Sequence, residues 1–172
     1  MNKIEKGFLY IAFGESFTKE ALMSIKSLKR FNQEPVALFT DQERTEDFEG
    51  LVDLYAKIDP KHIRAKVDFV SQTPFQKTIY LDSDTLIVRN ISDMFDVLDR
   101  FDVALTNDYA RKRTKYSKLV PEYAEIPYAF SEVNGGIMAY NNSLATTTFL
   151  SMWREYFYKY FKETLDRDWE KA

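Results

Sequence analysis

Unbroken apolar runs alternate with stretches whose apolar residues recur every three or four positions. Gly7 to Phe13 (GFLYIAF) is a continuous apolar run, the pattern of a parallel strand covered on both faces. It stops at Gly14-Glu15-Ser16, where Ser16 is read as a helix N-cap, and Ala21, Ile25 and Leu28 then carry an apolar stripe towards Phe31. Pro35 to Thr40 predicts a second buried strand, followed by the charged loop DQERTED, and Leu51 to Ile58 a third, closed by Asp59-Pro60. A helix is expected from Lys61 to Ser71 and should end before Pro74. Thr78 to Leu81 (TIYL) is a fourth strand that runs straight into Asp82-Ser83-Asp84.

The second half is less regular. Ser92-Asp93 can cap a short helix to Leu98, Asp102 to Thr106 reads as a strand, and Gly136 to Tyr140 as the last one. Between them lies a polar segment, 107–131, with the basic run Arg111, Lys112, Arg113, Lys115 and Lys118, a connection of a length that is usually functional or mobile. From Ser143 onward a long helix carries Phe149, Trp153, Tyr156, Phe157, Tyr160 and Phe161 at three-and-four spacing, read as a face packed on the core. Strands alternating with helices in 172 residues predict a single α/β domain, 1–172, around a mostly parallel sheet flanked by helices. In such sheets ligands sit outside the carboxyl ends of the strands, where strand order reverses. Gly14, Thr40-Asp41 and Asp82 all fall at strand ends, so one crevice is expected to gather them.

Composition narrows the chemistry. With 45% hydrophobic and 16% aromatic residues the chain has ample apolar surface for a core. Its 24 basic and 27 acidic residues leave a net charge of −3, against a nucleic-acid binder, whose domain is usually basic. No cysteine is present, so disulfides and thiolate chemistry are excluded. The single His62 makes a multi-histidine metal site or a serine–histidine triad improbable. The N-terminal apolar run, about seven residues long, is too short for a membrane span of ~20, and the reading is of a soluble, cytoplasmic protein with no membrane span.

Two carboxylates one residue apart at a strand end, Asp82 and Asp84, can turn towards one cation if the chain bends there. Hard oxygens suit Mg²⁺ or Mn²⁺, which leave positions open for phosphate oxygens. The spacing alone is common in loops, but here the acids lie between the apolar runs TIYL and Leu86-Ile87-Val88, a setting that solvated loop acids do not need.

The stretch from Lys66 to Val88, with Pro74-Phe75 and T-I-Y-L-D-S-D-T-L-I-V, resembles the nucleotide-diphospho-sugar transferases of GT-A fold, especially the family 8 group that contains glycogenin and galactosyltransferases. Gly7 to Lys29 is similar to the family's first strand and helix, Ile91 to Phe95 to the segment after its metal motif, and Val133-Asn134-Gly135-Gly136-Ile137 to its Asn-(Ser/Thr)-Gly motif. The resemblance covers nearly the whole chain and implies a Rossmann-like GT-A domain acting as a hexosyltransferase on a UDP-sugar donor, with retention. The acceptor stays open: glycan, protein or small molecule. Residue by residue, it implies that Ile11, Ala12, Phe13 and Gly14 line the base and ribose pocket. Phe17 stacks on the base, Lys66 meets the diphosphate, Asp82 and Asp84 bind Mn²⁺ or Mg²⁺, and Ser83 lies near the ribose. Asp41 joins the nucleotide site, and Asn134 and Gly135 approach the sugar, Asn134 also at the reacting centre.

Relatives continue past the long helix with an Asp-Gln pair and a histidine metal ligand, which this sequence lacks before Ala172. The expectation is therefore donor binding with slow transfer or donor hydrolysis, with Asp166 and Asp168 as candidate substitutes for the missing acid. Two rivals stay open. A non-catalytic nucleotide-sugar-binding module fits the same motifs. Asp82-Ser83-Asp84-Thr85 also fits the Asp-x-Asp-x-Thr motif of haloacid-dehalogenase-type phosphatases, although no acidic pair for Mg²⁺ follows it.

Overall fold

A computed structural model of the chain describes residues 3–109 and 121–169, with side chains in the second segment followed from 122 to 160. The basic run from Arg111 to Lys118, like the side chains of Phe161, Asp166 and Asp168, lies outside the described residues.

The first apolar run forms β1 (Ile4–Ala12), which starts three residues before the apolar pattern does. The reason is pairing: Ile4 is in register with Phe75, and its N–H donates to the Pro74 carbonyl at 3.1 Å, so the ladder continues where burial has ended. Helix α1 (Glu15–Lys29) buries Thr18, Ala21, Ser24, Ile25 and Leu28, the expected stripe. Its N-cap is Gly14 and not Ser16, which sits inside the first turn. Gly14 has φ +83°, a backbone open to glycine but strained for other residues. Strands β2 (Val36–Thr40) and β3 (Leu54–Lys57) follow, the first fully buried, the second half-buried at the sheet edge.

The helix expected over 61–71 is much shorter: one turn, α2 (Lys66–Phe69), continued by a 3-10 turn, Val70–Gln72. Thr73 is extended (φ −48°, ψ 138°), as the clash with the following Pro74 ring requires. Strand β4 (Phe75–Leu81) leads to the acidic pair, a 3-10 stretch covers Ser92–Asp99, and β5 (Val103–Asn107) and β6 (Val133–Asn141) complete the sheet. Helix α3 (Leu144–Trp169) is capped by Ser143, whose Oγ accepts the Thr146 N–H at 3.1 Å.

The sheet order is β3-β2-β1-β4-β6-β5. β3, β2, β1 and β4 are parallel, while β6 runs antiparallel between β4 and β5. Strand order therefore reverses between β1 and β4, and the crevice outside their carboxyl ends is where such sheets bind ligands. Because β6 is reversed, its amino end (Val133 to Gly136) arrives at that same edge, as the pairs Leu81↔Ile137 and Thr106↔Asn134 show.

Alternation along β1 sorts the core into two layers. Phe8, Tyr10 and Ala12 pack with α1 and the Ser92–Asp99 stretch, whereas Leu9 and Ile11 pack with residues 65–75 and α3. On α3 only part of the aromatic stripe is the core face. Thr146 and Leu150 are buried, Trp153 packs partly against the second layer and Phe157 against His62, while Phe149 and Tyr156 are 40% and 49% exposed. Aromatic residues line more than one side of this helix, so their spacing alone does not select the buried side. Among the described residues no helix is long and apolar enough to cross a membrane.

Candidate functional site

Three elements meet at the reversal point: the end of β1 with the start of α1, the end of β4, and the start of β6. The first two, with residues 63–66, enclose a cavity of about 300 Å³ whose walls include Ile11, Ala12, Phe13, Phe17, Glu20, Arg64, Lys66, Asp82, Ser83 and Asp84. Phe17 is 47% exposed, which removes it from the core and places its ring on the cavity. Gly14 lies in an adjoining depression with Phe13, Phe17 and Ile63. Asp41 is placed differently from the expectation. It does not line the cavity; its Oδ1 accepts the Gly14 N–H at 2.8 Å, so it braces the turn into α1.

Asp82 follows the last residue of β4, and its backbone N–H still donates to the Gly136 carbonyl at 2.8 Å. Its side chain is the most engaged group of the site. Lys66 Nζ lies 2.9 Å from both carboxylate oxygens and donates as well to the Gly135 carbonyl at 3.0 Å. The Tyr80 hydroxyl donates to Oδ1 at 2.5 Å. Tyr80 stands two residues before Asp82, so strand alternation places both on one face, a signal that the sequence held and the motif reading overlooked. Burial, then the neighbouring Asp82 carboxylate, holds the Tyr80 phenol well above the ordinary tyrosine range. Asp84 is exposed at the cavity mouth.

Beyond Asp82 and Asp84 a second depression of about 490 Å³ opens on the β5–β6 side, lined by Thr106, Asn107, Asp108, Tyr109, Asn134 and Gly136 among others. Asn134 Oδ1 accepts the Gly136 N–H at 2.7 Å. A Cβ added to Gly136 would lie 2.9 Å from that oxygen and 3.2 Å from Asp82 Oδ2, so a larger residue would displace Asn134 and crowd the Asp82 carboxylate. Sequence reasoning missed Arg64, Glu20 and Asp108, single charged residues in loops or on a helix face with no motif around them. The two depressions share Asp82 and Asp84 and differ in their other charges: the first adds the cations Arg64 and Lys66 and the acid Glu20, the second only the acid Asp108.

The donor set for a metal is two carboxylates, hard oxygens suited to Mn²⁺ or Mg²⁺ with most positions left to phosphate oxygens and water. Among the described residues no group of three or more His, Cys, Asp or Glu residues could hold an ion. His62 is far from this role: it is buried, with Nε2 3.1 Å from the Tyr158 hydroxyl and 3.1 Å from Asp68 Oδ2.

A reversal crevice of this kind, on a six-stranded, mostly parallel sheet flanked by helices, is the GT-A, Rossmann-like architecture. The chain is similar in fold to the galactosyltransferase LgtC in a crystal structure with donor and acceptor sugar analogues: TM-score 0.59 and 14% identity, over 90% of this chain and 64% of that one. An active-site mutant of LgtC gives the same TM-score, 0.59, with 11% identity, again over 90% and 64%. The chain thus spans less than two thirds of the length of these enzymes, and at such identities the likeness is one of fold. Its sequence matches no protein-family model and no curated protein.

Proposed function

We propose that the protein is a glycosyltransferase that takes its sugar from a nucleotide diphosphate, with UDP as the nucleotide. The observation that carries this reading is the convergence of Lys66, Asp82 and Gly135–Gly136 at the switch point of the sheet, with a cavity that holds Arg64 and Lys66 on one side and an acidic depression on the other. The base lies against Phe17 and the Ile11–Phe13 strand end, with the ribose beside Ser83. Lys66 and Arg64 take the diphosphate, exchanging Lys66's bond to Asp82 for phosphate oxygens of higher charge. The sugar then projects past Asp84 towards Asn134 and Gly135, where an acceptor entering from the Asp108 side meets its anomeric carbon. Asp82 and Asp84 would hold Mn²⁺ or Mg²⁺, which when bound neutralises charge on the departing diphosphate. The resemblance to family 8 implies retention of configuration, and Asp166 and Asp168 remain candidates for a supporting acid at the reacting centre.

The phosphatase alternative has less support. Both oxygens of the would-be nucleophile Asp82 are held by Lys66. Calorimetric titration of UDP and UDP-hexoses with Mn²⁺, repeated after chelation, tests the proposal, together with an assay for released or transferred sugar. Binding that needs the metal, with sugar turnover, is the expected result. Binding with no sugar released would favour a nucleotide-sugar-binding module, and no binding of any UDP compound would overturn the reading.

A further inference from the structure

The segment from His62 to Phe69 has two edges. Ile63, Arg64, Ala65 and Lys66 form one wall of the cavity. Two residues beyond Lys66, on the same single helical turn, stands Asp68; positions i and i+2 of a helix lie on opposite sides. A four-residue helix does not hold itself in place, because a single turn fixes more backbone freedom than its hydrogen bonds return. Something outside it must fix the wall.

Asp68 is what α3 grips. Its side chain is only 11% exposed, yet its carboxylate has three partners. Arg154 Nε donates to Oδ1 at 2.7 Å, the Tyr158 hydroxyl donates to both oxygens at 3.0 and 2.9 Å, and His62 Nε2 lies 3.1 Å from Oδ2. The clasp is closed by rings: His62 packs on Phe157 at 5.0 Å and on Tyr158 at 5.6 Å, and the Arg154 guanidinium lies over the Tyr158 ring at 5.1 Å. Arg154 is 57% exposed, but the carboxylate it meets is covered and has three partners, so this pair is held more firmly than one exposed at both ends with no further partner, such as Lys61 with Asp59. None of the described residues of α3 lines the cavity.

We propose that Asp68 is a positioning residue of the nucleotide pocket: its clasp to Arg154 and Tyr158 fixes Arg64 and Lys66 in place, so that α3 sets donor affinity without touching the donor. The donor half of this statement rests on the pocket being the nucleotide site; the clasp half does not. Two readouts separate them, amide hydrogen exchange of residues 63–69 and the dissociation constant for UDP, in wild type, Arg154→Ala, Arg154→Lys and Tyr158→Phe. Leu98→Ala, in the opposite core layer, serves as a control for general loss of stability.

Arg154→Ala and Tyr158→Phe should each speed exchange across 63–69 by about fivefold or more, leave β1 and β2 amides unchanged, and weaken UDP binding by a similar factor. Arg154→Lys should recover part of both effects, while Leu98→Ala should lower the melting temperature and move neither. Unchanged exchange in both clasp variants would overturn the proposal, as would an equal effect from Leu98→Ala or weaker UDP binding with exchange unchanged. If wild type binds no UDP, the functional reading fails, and the exchange data still decide whether Asp68 holds the wall.

Discussion

Lys66 makes opposite demands on the two ligands of the site. Its ammonium sits 2.9 Å from each oxygen of Asp82, so it competes with a divalent cation for that carboxylate while attracting a diphosphate. Lys66→Met should therefore tighten Mn²⁺ binding to the bare protein by about tenfold and weaken UDP binding by at least as much, each tenfold being about 1.4 kcal/mol. Titration of free Mn²⁺ by electron paramagnetic resonance beside UDP calorimetry reads both; a loss of Mn²⁺ affinity would show that Lys66 supports the metal site. Asp84→Asn should abolish only the metal-dependent part of donor binding, since Asp84 touches neither Lys66 nor Tyr80 among the described contacts. Phe17→Ala should weaken UDP binding with little change in melting temperature, because a ring 47% exposed contributes little to the core. A large fall in melting temperature with unchanged UDP affinity would return Phe17 to a packing role.

At the scale of elements, the two sides of α3 should differ sharply in what they contribute. Leu150→Ala removes a side chain 5% exposed and should cost about 2–4 kcal/mol, whereas Phe149→Ala and Tyr156→Ala should each cost about 1 kcal/mol or less. Urea unfolding of the three variants checks the assignment, and equal losses would contradict the observed rotation of the helix. The strands carry a second prediction. Tyr10 on β1, Tyr80 on β4 and Tyr140 on β6 are all buried, and burial pushes each phenol up, Tyr10 to about 12. For Tyr10 the hydrogen bonds to Ser24 and Thr85 offset part of the rise. A raised phenol keeps its proton in the folded state where the unfolded chain has lost it. The stabilisation is fully present below the unfolded value of about 10 and is lost as pH climbs from there through the folded values. Stability should hold to about pH 9.5 and fall steeply towards pH 12, with Tyr10→Phe showing a shallower decline by up to about 3 kcal/mol. Urea melts at intervals through that range measure the slope; identical slopes in wild type and Tyr10→Phe would mean that Tyr10 ionises as freely folded as unfolded.

For the molecule as a whole, a ligand that binds only the native state stabilises it by mass action, about 2.7 kcal/mol at one hundred times its dissociation constant. For a domain near this size that is about 5–10 °C in melting temperature. UDP with Mn²⁺ should produce a shift of this order, UDP with chelator a smaller one, and ADP with Mn²⁺ less than UDP. A shift the same for every nucleotide would leave the base unselected and remove Phe17 and the β1 end as its pocket.

The sequence by itself determined what short-range physics controls. Apolar runs placed the six strands, Pro74 ended the segment before β4, and the position of Asp82 and Asp84 after TIYL put the acidic pair at a strand end. Strand limits were read too short at β1 and β4: pairing carries Ile4–Lys6 into the ladder after burial has stopped, and at β4 the polar Gln76 and Lys77 separate the buried Phe75 from the apolar run. What only tertiary structure decided spans long separations. β6 is antiparallel and threads between β4 and β5, which is how Gly136 reaches Asp82 and why a side chain there would crowd Asn134 and Asp82. Lys66 meets a carboxylate 16 positions away, and Asp68 meets Arg154 across 86. The buried side of α3 and the use of Asp41 on Gly14 belong to the same class. A residue's period along the chain reports which of its own neighbours share its face. Which distant element covers that face is settled by packing of the whole sheet, and the site is assembled at that level.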